Sequence, residues 1–146
     1  MKETTGNLID LAAGGRFDVI VHGCNCFGNM GGGIAREISR RYPAALEADR
    51  ATPRGDRGKL GTTSTAAADG FTIVNAYTQY DTTGPQPRVD YDAVGRAFAE
   101  VKQRFGGQRI GYPLIGCGLA GGDWAVVGEI IDRELDGEDH TLVRLG

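Results

Sequence analysis

The chain has 146 residues, room for one domain around one core, and its 40% hydrophobic and 24% charged residues are those of an ordinary globular protein. A net charge of −3 argues against non-specific binding to nucleic acid, and 24 glycines without a three-residue period exclude a collagen-like chain. No apolar run approaches the roughly 18 residues of a membrane span, the N-terminus lacks the apolar run of a secretory leader, and the odd cysteine set, Cys24, Cys26 and Cys117, argues against a disulfide framework, so a cytoplasmic protein is expected.

In chain order, Gly6-Asn7-Leu8-Ile9-Asp10 reads as the end of a first strand and a turn. Gly14-Gly15 then breaks the chain before Val19-Ile20-Val21, a β-branched run that suits a strand covered on both faces. That strand, over 18–23, puts His22 and Asn25 at its C-terminal edge, where open α/β sheets bind ligands. After Gly31-Gly32-Gly33 a helix runs to about Tyr42, with Ile34, Ile38 and Tyr42 as its core stripe and Glu37 and Arg41 paired across one turn. Pro43 ends it, and 44–51 forms a short second helix. The Gly-Lys pair in the polar loop 53–61 lacks both the spacing of a phosphate-binding P-loop and a Ser or Thr after Lys59. Two strands, 62–68 and 71–78, meet at Asp69-Gly70, a hairpin signal. The segment 79–89 is long, polar and rich in Gly and Pro, and reads as a mobile flap.

The spacing of Val94, Phe98, Val101 and Phe105 predicts a helix over 90–105, stopped by Gly106-Gly107. A strand over 109–115 leads into a second glycine cluster, Gly116-Cys117-Gly118-Leu119-Ala120-Gly121-Gly122. Asp123 caps a helix over 124–135 that turns Val127, Ile130, Ile131 and Leu135 inward, and 140–145 is a last strand. Strands alternating with helices define an α/β class with helices on both faces of a mixed sheet, folded as a single domain over 1–146.

Both glycine clusters lie between a strand and a helix, where free N–H groups and the positive helix end favour an anion. Gly116, Gly118 and Gly121 match the dinucleotide fingerprint, but only 140–146 remain to build the rest of such a sheet, so nicotinamide chemistry is not expected. Two such turns in one small domain instead suit a ligand with a diphosphate gripped from both sides. Cys24 and Cys26 lack third and fourth partners for zinc, and no metal or cofactor is expected.

The stretch Val-His-Gly-Cys-Asn-Cys-Phe-Gly-Asn-Met-Gly-Gly-Gly-Ile-Ala, followed by Tyr-Pro-Leu-Ile-Gly-Cys-Gly-Leu-Ala-Gly-Gly-Asp-Trp, resembles a macrodomain, the ADP-ribose-binding fold. The first motif is most similar to the branch containing the yeast-type ADP-ribose 1″-phosphate phosphatase. The resemblance implies a three-layer α/β/α sandwich with ADP-ribose across the strand ends. It implies that Asn25 holds the distal ribose and that Gly31, Gly32, Gly33 and Ile34 line the distal ribose and diphosphate. Gly116, Cys117, Gly118, Leu119, Ala120 and Gly121 would form the phosphate loop. Asn7, beside Leu8, stands where the family often has an Asp that contacts adenine, and a neutral amide is a weaker acceptor there.

For chemistry, His22 is the only histidine near either turn, and its ordinary pKa of about 6.5 suits proton transfer. The resembling phosphatases have His at the matching position, while the plainer reading is a ring bonded to backbone at the strand end. Asp123 is either only a helix cap or also a base that positions water. Cys117 lacks the Arg of a cysteine-phosphatase loop and reads as a packed loop residue. Three functions follow: hydrolysis of ADP-ribose 1″-phosphate, removal of ADP-ribose from modified macromolecules, and non-catalytic reading of ADP-ribose. The second uses, in one macrodomain branch, a Lys and an Asp at positions held here by Gln79 and Ala120. The expected partner is ADP-ribose or a phosphorylated or conjugated derivative; no membrane is expected, and nucleic acid only as an ADP-ribosylated substrate.

Overall fold

A computed structural model describes residues 1–146. The elements are β1 (Lys2–Thr5), α1 (Leu8–Ala13), β2 (Val19–Cys24), α2 (Gly33–Arg41), α3 (Pro43–Arg50), a single 3₁₀ turn (Arg57–Lys59), β3 (Thr63–Ala67), β4 (Thr72–Tyr77), α4 (Tyr91–Phe105), β5 (Ile110–Tyr112), α5 (Trp124–Glu134) and β6 (His140–Arg144). Six strands form one sheet in the order β1-β6-β5-β2-β4-β3. All neighbours are parallel except β3 and β4, the hairpin turned at Asp69-Gly70, where Gly70 adopts φ +79°.

Successive residues of a strand point to opposite faces, and the core divides accordingly. Val19 and Val21 of β2, Val74 and Ala76 of β4, and Ile110 and Tyr112 of β5 face one layer with Val94, Phe98 and Val101 of α4 and Val127 and Ile131 of α5. Ile20, Ile73 and Val143 face the other, with Leu8, Ile9, Ile38 and Ala45 from α1, α2 and α3. The result is the expected α/β/α sandwich. Each fully buried Ile, Leu, Val or Phe stabilises such a core by about 1.5–3 kcal/mol. Gly111 sits in β5 because a β-carbon there would stand 2.8 Å from the ring of Phe17.

Two expectations need correction. The stretch 6–10, read as a strand end and a turn, runs instead into α1 from Leu8: the Asn7 side chain accepts from the Asp10 N–H at 3.0 Å and caps it, and Leu8, Ile9 and Ala12 are buried. The strand expected over 109–115 keeps ladder pairing only at Ile110–Tyr112, because Pro113 has no N–H to donate. The other helices and strands lie within a residue or two of their expected bounds.

Candidate functional site

β2 and β5 are neighbours in the sheet, and their C-terminal ends release the two glycine turns side by side. This is the strand edge at which α/β sheets bind ligands. A β-carbon at Gly32 would lie 3.1 Å from Leu119 Cδ1, so the tip of the second turn touches the first.

The first turn is built by its own polar groups. Asn25 Oδ1 accepts from the Phe27 N–H, and Asn25 Nδ2 donates to the Asn29 carbonyl, both at 2.8 Å. Asn25 therefore shapes the loop, the turn-forming role open to an Asn there, and its amide is largely engaged. Cys26 ties the turn down: its N–H donates to Tyr80, and its carbonyl accepts from Gly55 N–H at 2.7 Å and Lys59 Nζ at 3.3 Å. The segment 53–61 thus buttresses the turn. Beyond it, α2 starts at Gly33 after the cap residue Gly32, with no side chain on its first N–H groups. From Gly31 to Ala35 no backbone N–H finds an acceptor within the chain. These donors, with the positive end of the helix dipole, have the arrangement that suits an anion. Gly33 adopts φ +56°, which favours glycine.

The second turn is folded by Gly116 at φ +72° and Gly121 at φ +70°. A β-carbon at Gly116 would strike Val89 at 2.5 Å, and one at Gly121 would strike Gln86 at 2.6 Å. Gly122 N–H donates to the Gly116 carbonyl at 2.7 Å and closes the loop. The N–H groups of Gly118, Leu119 and Ala120 have no acceptor in the chain. Two sets of unengaged amides therefore meet where Leu119 touches Gly32, the arrangement of a nest for a polyanion.

The segment 79–89, expected as a flap, is tied to this turn. Gln79 and Val89 pair across its base, the Arg88 N–H donates to the Ala120 carbonyl at 2.7 Å, and Gln86 Nε2 donates to the Leu119 carbonyl at 3.1 Å. The Arg88 guanidinium donates to the same carbonyl.

The remaining expected residues separate. His22 is a correction: it is an internal residue of β2, paired in register with Asn75, and not at the strand's edge. It shares the face of Ile20 and is fully buried, with Nε2 bonded to Asn75 Oδ1 at 2.6 Å. Burial lowers its pKa, against the Asn75 hydrogen bond and the Asp49 charge, which both raise it. A proton-transfer group must come within hydrogen-bond reach of the reacting atoms, and this ring reaches Asn75 and Cys24 instead. Asp123 is exposed and caps α5, with Oδ1 accepting from the Ala125 N–H at 2.9 Å. Asn7 caps α1, and its Nδ2 donates to Glu37 at 3.3 Å. The side chains of Leu8 and Ala120 are buried in the two core layers, and Ile34 packs half-buried on α2. The Gln79 amide donates to the Asp81 carbonyl at 2.8 Å. Cys117 Sγ donates to the Ile115 carbonyl at 3.3 Å, and burial raises its pKa, the state of an inert thiol.

Sequence reasoning missed the network beneath the first turn. Asn75 Nδ2 donates to the Ala45 carbonyl and to Ser64 Oγ, and Tyr77 Oη shares a hydrogen bond with Ser64 and donates to Asp49 Oδ1 at 2.8 Å. Burial raises the pKa of Tyr77 and of Cys24. The available signal was Asn75 itself, a polar residue inside the apolar run of β4, where a buried amide must be bonded.

An α/β/α domain with two amide-lined strand-to-helix turns belongs to the class that holds an anion at a sheet edge. More particularly, the chain belongs to the Macro domain family, whose profile matches residues 21–131. It is 34% identical to an uncharacterised 17.5 kDa protein of Enterobacteria phage T4 over 142 residues, covering 90% of this chain and 88% of that one. It is 29% identical to an ADP-ribose 1″-phosphate phosphatase of Lodderomyces elongisporus, covering 88% and 87%. Among solved structures it is similar to Thermosipho africanus DarTG in complex with ADP-ribose, with a TM-score of 0.73 at 17% identity, covering 100% of this chain and 42% of that one.

Proposed function

We propose that this chain binds ADP-ribose between its two glycine turns and hydrolyses ADP-ribose 1″-phosphate to ADP-ribose and phosphate. The observation that carries the reading is the pair of unengaged amide sets, Gly31 to Ala35 and Gly118 to Ala120, meeting at the Gly32–Leu119 contact. They suit the successive charges of a diphosphate, and the phosphatase-named relative from L. elongisporus supports the choice of reaction. In this reading water attacks phosphorus in line, and backbone N–H groups stabilise the charge on the equatorial oxygens. Asp123 retains one carboxylate oxygen beyond its capping bond and orients the water. His22 acts from below as a positioning residue, holding β2 against β4 under the turn.

A second reading, a non-catalytic reader of ADP-ribose, is favoured by the sealed imidazole of His22. Removal of ADP-ribose from macromolecules by the lysine-dependent route draws no support: Gln79 is bonded to its own loop, and Ala120 is apolar and buried.

Phosphorus NMR of ADP-ribose 1″-phosphate with the purified protein tests the proposal. Growth of an inorganic phosphate signal is expected, slowed at least tenfold by Asp123→Asn. Asn caps a helix as well as Asp does, so that variant removes charge while keeping the fold. Broadened diphosphate signals without free phosphate would select the reader. Unchanged signals at millimolar ligand would remove both readings.

A further inference from the structure

The amides of the second glycine turn are aimed from outside the turn, by the segment 79–89. Two of its side chains donate to a single carbonyl, that of Leu119: Gln86 through Nε2 at 3.1 Å, and Arg88 through Nη2. The Arg88 N–H takes the next carbonyl, that of Ala120, at 2.7 Å. In a trans peptide the C=O and the N–H point to opposite sides, and the Leu119–Ala120 bond is trans. A Leu119 carbonyl drawn toward 79–89 therefore turns the Ala120 N–H away from that segment. The following peptide obeys the same rule. Its carbonyl, from Ala120, faces Arg88, and its N–H, from Gly121, points back into the turn, to the Gly118 carbonyl at 3.1 Å. Of these two N–H groups only that of Ala120 has no acceptor in the chain.

The charge on Arg88 is a separate observation. It forms no ion pair, so in a chain of net charge −3 this cation is left uncompensated beside the turn. Its guanidinium is committed to backbone oxygens: Nη2 to Leu119, and Nη1 to the Gly84 carbonyl at 3.4 Å, with Nε buried. It therefore acts on a ligand through the peptide it holds. A cation on a carbonyl oxygen polarises the amide and makes the N–H at its other end a stronger donor. Gln86 holds the same carbonyl without that charge.

We infer that Arg88 is a positioning residue of the anion site: from behind the second turn it aims the Ala120 N–H at a ligand phosphate, and its charge raises the affinity of the turn for that phosphate. The inference rests on the binding of a diphosphate between the two turns and is independent of hydrolysis.

The test is calorimetry of the full chain with ADP-ribose at two salt concentrations, with amide NMR to show where the ligand sits. Arg88→Ala should weaken binding several-fold at about 0.1 M salt, and that ratio should shrink at about 1 M, where the screening length falls from about 10 Å to about 3 Å. Arg88→Lys, which keeps a cation, should recover most of the affinity. Gln86→Ala, which removes a neutral donor from the same carbonyl, should cause a smaller loss that salt does not change. If Arg88→Ala loosens the turn, Arg88→Lys and the salt dependence still separate charge from a simple tie. Equal losses from Arg88→Ala and Gln86→Ala, indifferent to salt, would overturn the inference, and so would parental affinity in Arg88→Ala. Both results leave ADP-ribose bound between the turns. Absence of saturable shifts at 118–120 in the unsubstituted protein would instead overturn the diphosphate reading, and the inference with it.

Discussion

At the scale of single residues, what a side chain does here depends on which face its backbone presents. His22 is two residues from Ile20 in β2 and therefore points into the layer of α2 and α3. Sequence alone offers the imidazole but not its face, because its partner Asn75 is 53 residues away. His22→Ala would leave Asn75 Oδ1 unpaired and open a void, so a loss on the order of 2–4 kcal/mol of stability is expected in urea unfolding. A loss below about 0.5 kcal/mol, the scale of a surface substitution, would show that the ring is not in the core. The glycines of the second turn make the opposite case. Gly118 lacks a positive φ, and a β-carbon there meets nothing within 4 Å. Gly118→Ala should leave thermal stability unchanged, while its methyl obstructs a ligand on the neighbouring amides and weakens ADP-ribose binding in calorimetry by about tenfold, or 1.4 kcal/mol. Gly116→Ala should instead cost the fold, because the left-handed backbone alone adds about 1–2 kcal/mol before the clash with Val89.

At the scale of elements, legibility followed length and local chemistry. α4 and α5 were readable because each carries a long apolar stripe, and α5 also its capping Asp123, which accepts from Ala125; the structure gives α4 a matching cap in Asp90, which accepts from Ala93. The β3–β4 hairpin was readable from Asp69-Gly70. α1 was not, because six residues are too few to establish a helical period and Asn7 serves turns and caps alike. Both glycine turns were legible as amide-rich loops, since glycine runs between strand and helix leave backbone as the main donor. Their support was not legible, because it comes from long-range bonds to 53–61 and 79–89. The clearest case is Leu119, whose carbonyl is held by Gln86 and Arg88 from more than 30 residues away. Arg88→Ala removes that guanidinium but keeps the Arg88 N–H bond to Ala120. Faster hydrogen exchange in 116–122 and several-fold weaker ADP-ribose binding are expected, with little change in melting temperature. A ligand affinity equal to that of the parent would mean that the second turn holds its shape alone.

At the scale of the molecule, the two histidines couple stability to pH in one direction. His22 and His140 are both buried, and both have lowered pKa values with desolvation as the largest cause. Around His22 the Asn75 hydrogen bond and the Asp49 charge oppose the shift. Around His140 the α-amino group of Met1 adds to it, and Asp132, Asp139 and Glu138 oppose it. Tyr112 Oη bonds His140 Nδ1 at 2.6 Å, placing that ring too in a closed network. A histidine lowered in the folded state stays neutral there, while the unfolded chain takes up a proton as pH falls below about 6.5. The native state is therefore fully favoured above that pH and loses stability toward the lower folded pKa, by up to about 1.4 kcal/mol per pH unit for each ring. Asp18 acts in a separate, more acidic window: its hydrogen bonds from Arg109 lower its pKa, so its contribution is lost only below the ordinary carboxylate value near about 4. Urea midpoints should hold nearly level from about pH 7.5 to 6.5 and fall from there to about 5.5, and His140→Gln should make that fall shallower. A flat profile would mean that both rings titrate alike in the folded and unfolded chain, against their burial. Because His22 lies under the first glycine turn, charging it on unfolding opposes the same element that ADP-ribose would hold folded. Saturating ligand should then raise the unfolding free energy at every pH by RT ln(1 + [L]/Kd), moving the midpoint by that amount divided by the m-value, and leave the acid slope unchanged if its own Kd is constant over that window.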